Sequence, residues 1–573
     1  MNTKNKTQNF ERGAVILLVS AIVVKIIGAV FKIPLQRLIG DLGFGFFSSA
    51  YDLFLPIYAL SMAGLPIAVS RMTAACMAEG KFKETRQTLK IAKLAFLVTG
   101  ITGFVLLLAA IIPYAKLTTA EASDALYVGV CVLMISPTVL FCSYMSSYRG
   151  YYEGMRNMYP TAISNIIEAL GKLVLGYSFA YIILKITKNV AYAAAGALAG
   201  IMIGTAAAAL YLSLRHRFVG DRISDDELKN SPESSNGRLV LKALLIIAIP
   251  VALSSLANNI TLFIDTFMVK WQLKNVMESS WDYISNMYAP SIADYNSTAA
   301  QLGREALTAS NMPTFLYGIR GEAYVLYNLI PTLTSTLGVG SVPFLTTVWV
   351  EKDMSAVKKT IEKIIRTVSV IAFPAGIGLF AIAPDIMGLL YDGVAPVEIG
   401  SSLLRVLGIA AVFAGVSSPI ANMLQVIGKP MIPVRNIAIG ACLKIIINFI
   451  LVGRPEINIL GAPIGTALCY VFIFVSNCLC LIKYTGVRFN FASTLIKPFI
   501  SAASCGVAAF LVSLLCDMLN LSNFITVIFS VAVAALVYLL VLFGIKTLTK
   551  EDVYDLPKGK LLVKVLEELR LIR

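Results

Sequence analysis

Lys25 and Lys32 stand seven residues apart inside an apolar run from Ala14 to about Pro34. On a helix that spacing puts both ammonium groups on roughly one face. The run holds no acidic residue to neutralise them. A charge at mid-bilayer costs at least ~2.5–3.5 kcal/mol on insertion scales, so it ordinarily faces a cavity or a partner. Lys32 can snorkel towards the headgroups, whereas Lys25 lies too deep to do so easily. Lys25 therefore reads as a cavity-facing cation, with structural pairing as the alternative. Glu168 and Lys172 stand at i and i+4, the favourable order for a self-neutralising ion pair. Lys444 and Asn448 repeat that spacing on a run without any acid. Asp265, deep in another apolar run, is placed to face either lysine or to bind a coupling cation. Arg320 and Arg405 stand near expected outer ends, as an outer mouth or as headgroup anchors.

The chemistry of this set is cationic. A drug-cation antiporter needs carboxylates in its cavity, whereas an excess of ammonium groups favours an anionic ligand. Lysine binds phosphate as a point charge, so a pyrophosphate-linked sugar fits.

These side chains must be carried by membrane-spanning helices. Of the 573 residues, 57% are hydrophobic and only 14% charged, against roughly 25% charged in soluble domains. Apolar runs of about 18 or more residues recur along the chain, each long enough to cross ~30 Å of hydrocarbon as a helix. They lack the two-residue alternation of barrel strands. The expected fold is all-α and polytopic, with about fourteen spans. Spans are expected near 13–36, 45–72, 91–112, 125–147, 159–184, 190–213, 239–269, 321–350, 367–388, 401–427, 431–453, 460–482, 495–516 and 523–545.

Lys and Arg concentrate in alternate loops, such as Lys81, Lys83, Arg86 and Lys90, then Arg215, Arg217, Arg222, Lys229 and Arg238. The positive-inside rule then puts both termini in the cytoplasm. The net charge of +15 is spread over these loops rather than forming one patch, so a nucleic-acid partner is not expected; an anionic inner leaflet is.

Internal repetition is the most informative pattern. Gly154-Met155-Arg156-Asn157-Met158-Tyr159-Pro160 opens one apolar run and Gly428-Lys429-Pro430-Met431-Ile432-Pro433 another. Each run then carries a lysine near its middle, Lys172 and Lys444. Leu65-Pro66 and Val342-Pro343 also correspond. Spans 1–6 therefore read as duplicated in spans 7–12, as two parallel six-helix lobes around a cleft. The expected organisation is an N-lobe over 1–238, a C-lobe over 239–488, two further spans over 489–545, and a cytoplasmic amphipathic tail over 546–573. Residues 270–320, rich in Tyr, Ser and Asn, read as a long outer loop: a cap over an outward opening, or a tolerated surface insertion.

Several chemistries are missing. No GxxxxGK[ST] loop is present, so no ATPase is expected within the chain. His216 is the one histidine, which argues against histidine-based catalysis. The nine cysteines make no CxxC pair and read as small core residues. No cofactor or metal is expected, and the coupling ion is open. A membrane glycosyltransferase using Asp282, Asp294 or Glu305 is a rival reading, but those acids form no recognisable motif. A scaffold without transport activity is another.

Gly13–Gly40, followed by Gly64-Leu65-Pro66-Ile67-Ala68-Val69-Ser70-Arg71, resembles the opening of the polysaccharide-transporter branch of the MOP (multidrug/oligosaccharidyl-lipid/polysaccharide) exporter superfamily. It looks most like the stage V sporulation protein B and YtgP-type, MurJ-like lipid II flippases. Gly428-Lys429-Pro430 and Gly461-Ala462-Pro463-Ile464-Gly465-Thr466-Ala467 resemble that family's later helices. The resemblance covers nearly the whole chain. It implies two six-helix lobes, a central cationic cavity, and flipping of undecaprenyl-pyrophosphate-linked muropeptide or oligosaccharide. Cell-wall synthases are candidate partners. It also implies that basic residues on the first helix are needed: Lys25 occupies such a position, Lys32 approximately matches the next, and Arg37 matches the one at the outer end. Some relatives bind sodium on their seventh and eleventh helices. Asp265 and Asn448 match those ligands, but Lys444 would place an ammonium where the cation sits, so sodium coupling is not expected.

Overall fold

A computed structural model describes residues 10–62, 64–119, 121–221, 223–249, 265–302, 304–391 and 396–547. The tail expected over 546–573 lies almost wholly outside them. Among the described residues the chain is helical and no strand occurs. Eleven helical segments there are long and apolar enough to cross a membrane. The chain divides into two compact units, Met1–Gly318 and Ile319–Arg573.

The first unit begins with α1 (Phe10–Met62), in which Gly40 has φ 69° and ψ 179°. That left-handed φ suits glycine, and it turns one apparent helix into a hairpin, so the turn lies where spans 1 and 2 were expected to separate. Arg304 Nη2 donates to the carbonyl of Leu38 at 3.0 Å, a cation on the orphan carbonyls that end the first arm. The expected span 45–72 is broken: α2 (Leu65–Ala78) starts anew, with Pro66 in its first turn, where a proline is tolerated.

The unit continues through α3 (Phe82–Thr118), α4 (Ala122–Ile135), α5 (Thr138–Gly154) and α6 (Tyr159–Gly171). A π-helical turn, Lys172–Gly176, leads into α7 (Tyr177–Thr187), followed by α8 (Val190–Val219) and α9 (Asp225–Lys229). Gly196, Gly200 and Gly204 are four residues apart on α8, one face of a helix. A Cβ on Gly204 would come within 2.9 Å of Gly171, and one on Gly200 would collide with the backbone of Gly176. Gly171 and Gly176 are five apart, so the wide turn absorbs the extra residue and keeps both against α8. Wide turns of this kind are frequent at functional sites.

Below α3 the chain is tied back on itself. Arg86 donates twice to Asp221, at 2.8 and 3.0 Å, and Tyr151 donates to the same carboxylate at 3.1 Å. Burial pushes the Asp221 pKa up, but the Arg86 hydrogen bonds and a backbone N–H outweigh it and hold the carboxyl below its ordinary value. Residues 237–249 form α10, whose buried face (Val240, Leu244, Ala248) joins a core cluster with Leu65, Val69, Leu89 and Phe96.

The segment read as an outer loop is mostly helical. A π-helical turn, Asp265–Val269, leads into α11 (Lys270–Met287), and α12 (Ala289–Leu302) and α13 (Met312–Tyr327) follow. Its two ends are buried, with Lys270 fully buried and Met312, Phe315 and Leu316 in the core, whereas most residues between 278 and 310 are exposed or half-buried. A Cβ on Gly45 would overlap the Thr314 carbonyl, and one on Gly318 the Asp41 carbonyl. The two glycines let α1 and the start of α13 meet backbone to backbone.

The second unit holds α14 (Leu329–Val350), α15 (Met354–Ala381), α16 (Ala383–Tyr391), α17 (Val397–Val426), α18 (Met431–Val452), α19 (Gly461–Thr485), α20 (Lys497–Met518) and α21 (Asn523–Gly544). The repeated motifs occupy like places. Gly154 ends α5 and Pro160 opens α6, while Gly428 follows α17 and Pro430 precedes α18. The left-handed residue is Arg156 (φ 55°) in one turn and Gly428 (φ 78°) in the other.

Candidate anion-binding site

The second arm of α1 carries an aromatic stripe at helical spacing: Phe44, Phe47, Tyr51, Phe54 and Tyr58. Neighbouring rings lie 5.4–6.0 Å apart, from Phe44–Phe47 at 5.6 Å to Phe54–Tyr58 at 5.4 Å. Such a stripe on its own reads as core. Here the hairpin at Gly40 folds the first arm beside it, so that Phe31 meets Phe47 edge-on at 6.1 Å.

Two lysines converge on one ring of that stripe. Lys32 Nζ lies 5.2 Å from the Tyr51 ring centroid. Lys172 Nζ lies 5.0 Å from the same centroid and 5.4 Å from that of Phe31. It also donates to the Tyr51 hydroxyl at 3.5 Å. The π-helical turn starts at Lys172, directly after the glycine contact with α8. Cation–π contacts of this geometry are worth about 0.5–2 kcal/mol each.

The two ammonium nitrogens lie within about 10 Å of each other. At an effective dielectric of about 20 their repulsion is at least ~1.5 kcal/mol. A dianionic group between them would relieve it.

Glu168 does not take that place. Its carboxylate receives Arg149 Nη2 at 2.9 Å, and Arg149 Nε donates to Ser164 Oγ at 2.9 Å. The expected Glu168–Lys172 pair is thus replaced by Glu168–Arg149, because the guanidinium comes from α5 with two donors already aligned. Among the described residues Lys172 makes no ion pair. The acid one turn away is occupied, which leaves the lysine charge available.

The remaining expected residues fall as follows. Arg37 is exposed near the end of the first arm. Lys25 belongs to α1 and Asp265 to the second π-helical turn, but their side chains lie outside the described residues. In the second unit Lys444 and Asn448 are buried on α18, at 2% and 0% exposure. Asn448 Oδ1 faces Gly465 of α19, where any side chain would displace it.

Arg320, expected at an outer mouth, is instead buried at 1% exposure, its guanidinium 4.1 Å from the Tyr324 ring. Helix α13 begins at Met312, so Arg320 lies two turns inside a helix rather than ahead of one. Tyr324 hydrogen-bonds Thr466 at 2.7 Å, and Glu322 beside it is fully buried.

Arg405 is exposed on the wall of a groove of about 1060 Å³ in the second unit, otherwise lined by apolar residues such as Phe373, Ile377, Phe413, Phe474 and Phe510. The described residues hold no cluster of three or more metal-ligating side chains.

The sequence reading missed Tyr51, Arg149, Lys270 and Glu322. The signal for Lys270 was faint: it directly follows an apolar run, and its sequence neighbours Trp271 and Gln272 suggest a boundary.

Two family models match the chain: the polysaccharide biosynthesis protein family over residues 10–350, and MatE over residues 323–450. Among curated proteins, stage V sporulation protein B of Bacillus subtilis (strain 168) is 25% identical over 569 residues, covering 97% of this chain and 99% of that protein. Lipid II flippase MurJ of the same organism is 21% identical over 491 residues, 84% of each chain. A solved structure of lipid II flippase MurJ in an inward closed conformation matches with a TM-score of 0.63 at 14% identity, over 92% of this chain and 98% of that one. The chain belongs to the polysaccharide biosynthesis protein family, and its recurring long apolar helices are those of a multi-pass membrane protein.

Proposed function

We propose that the protein flips an undecaprenyl-pyrophosphate-linked sugar, lipid II or a related oligosaccharide lipid, across the bacterial plasma membrane by alternating access. The observation that carries this reading is the pair of ammonium groups sharing Tyr51, with the nearby carboxylate of Glu168 engaged elsewhere. Lys32 and Lys172 grip the pyrophosphate, and Lys25, Arg37 and Lys444 line its route. Asp265 and Asn448 are the polar residues nearest in role to a coupling site. Both termini lie in the cytoplasm, and spans 1–6 and 7–12 act as the two lobes. The relative named as a lipid II flippase supports the substrate class, and the one named for sporulation supports a role in wall or spore polymer supply.

An organic-cation antiporter would keep Glu168 free to hold its cargo, and the Arg149 contact speaks against that. Complementation of a bacterium depleted of its own lipid II flippase tests the proposal. Expression of this chain is expected to restore growth and labelling of lipid-linked muropeptide on the outer leaflet. Membrane-inserted protein with neither rescue nor labelling would refute the substrate assignment.

A further inference from the structure

Tyr51 lies between Ser49 and Asp52 on α1, and both are gripped from other helices. Lys270 Nζ donates to Ser49 Oγ at 2.9 Å, and the Tyr114 hydroxyl donates to the Ser49 carbonyl at 3.2 Å. Tyr317 donates to Asp52 Oδ2 at 2.9 Å. The Lys270 ammonium also lies 5.6 Å from the Tyr317 ring centroid, so one cation touches the residues holding both sides of Tyr51.

Lys270 is fully buried, and among the described residues it makes no ion pair. Asp124, buried on α4, is the acid whose charge acts on it most. An ammonium buried with one hydroxyl acceptor and one ring face keeps much of its desolvation cost, and an apolar side chain of the same length would be at least as stable there. Stability alone therefore gives no reason for a lysine at this place. A buried lysine where stability does not call for one points to function.

Resting on the head-group reading above, we propose that Lys270 is a positioning residue for the anion site. It fixes the Ser49–Asp52 turn of α1, so that the Tyr51 ring stays in contact with both Lys32 and Lys172. It also adds a third positive charge to the same helical turn. Binding groups displaced by about 1 Å lose much of their effect, so a loosened turn weakens both lysine contacts together.

The test uses the full chain in nanodiscs, with undecaprenyl pyrophosphate lacking a sugar as the probe. Binding affinity and the unfolding midpoint are measured for wild type, Lys270→Met, Ser49→Ala and Lys172→Gln. Lys270→Met is expected to bind at least about 10-fold more weakly, with an unfolding midpoint equal to or above that of wild type. A lowered midpoint with wild-type affinity in the folded fraction would overturn the proposal, as would no change in either. Should Lys270→Met not fold, Ser49→Ala decides: reduced affinity supports the positioning role and wild-type affinity overturns it. Lys172→Gln separates the two levels. Normal binding by that variant refutes the head-group reading itself and the proposal with it, whereas normal binding by the Lys270 and Ser49 variants alone refutes only the positioning role.

Discussion

Replacing both Lys32 and Lys172 by glutamine is expected to abolish measurable binding of a pyrophosphate-linked lipid. Each single replacement is expected to weaken it by about 10–100-fold, the range for losing one charge-assisted contact. Glutamine keeps length and polarity but removes the charge. The Tyr51 ring would then face two neutral amides, and the mutual repulsion that an incoming anion relieves would be gone. Folding should survive, since an uncharged amide is cheaper to bury than an ammonium. Isothermal titration of the lipid against purified protein in nanodiscs checks the affinities, and size-exclusion chromatography checks the fold. Wild-type affinity in the double variant would show that the two lysines hold something other than the head group.

Gly45→Leu is expected to destabilise the first unit by about 1–3 kcal/mol or more. The Cβ alone would overlap the Thr314 carbonyl, and backbone cannot rotate aside as a side chain can. Gly318→Leu should behave alike, because its Cβ meets the Asp41 carbonyl. Both changes pry α13 from α1, and with it Tyr317 from Asp52, so transport should fall with stability. Gly378→Ala is the control: a Cβ there has nothing within 4 Å, and alanine favours a helix by about 1 kcal/mol. Thermal unfolding in detergent should separate the variants clearly. A Gly45→Leu midpoint matching wild type would mean that α1 and α13 do not pack as described.

Some of this was legible from residue order alone. Repeated apolar runs dictate helices because no other open backbone satisfies its hydrogen bonds in hydrocarbon, and the described residues are helical throughout their apolar length. Lys32 and Lys172 stood out because a charge in such a run is costly. Their meeting point did not, because Tyr51 belongs to an aromatic stripe indistinguishable in sequence from ordinary core. The i, i+4 spacing showed that Glu168 can reach Lys172, but not that Arg149 of another helix reaches Glu168 with better geometry. Lys270 and Arg320 were misplaced for a shared reason. Hydropathy ends an apolar run at the first cluster of polar residues, whereas these helices continue and bury the charges against rings. The turn at Gly40 falls in the gap between the spans expected over 13–36 and 45–72, whereas the break between Met62 and Leu65 was hidden because the residues around it are apolar and compatible with a helix.

The central claim is that intramembrane ammonium groups carry an anionic head across the bilayer. Proteoliposomes loaded with fluorescent lipid II on one leaflet, with the second-leaflet signal followed by a membrane-impermeant quencher, test it most directly. Wild-type protein is predicted to move the head group, the Lys32→Gln, Lys172→Gln double variant to leave it where it started, and an organic cation to be carried by neither. Equal lipid movement by wild type and the double variant, or cation export by both, would contradict the account.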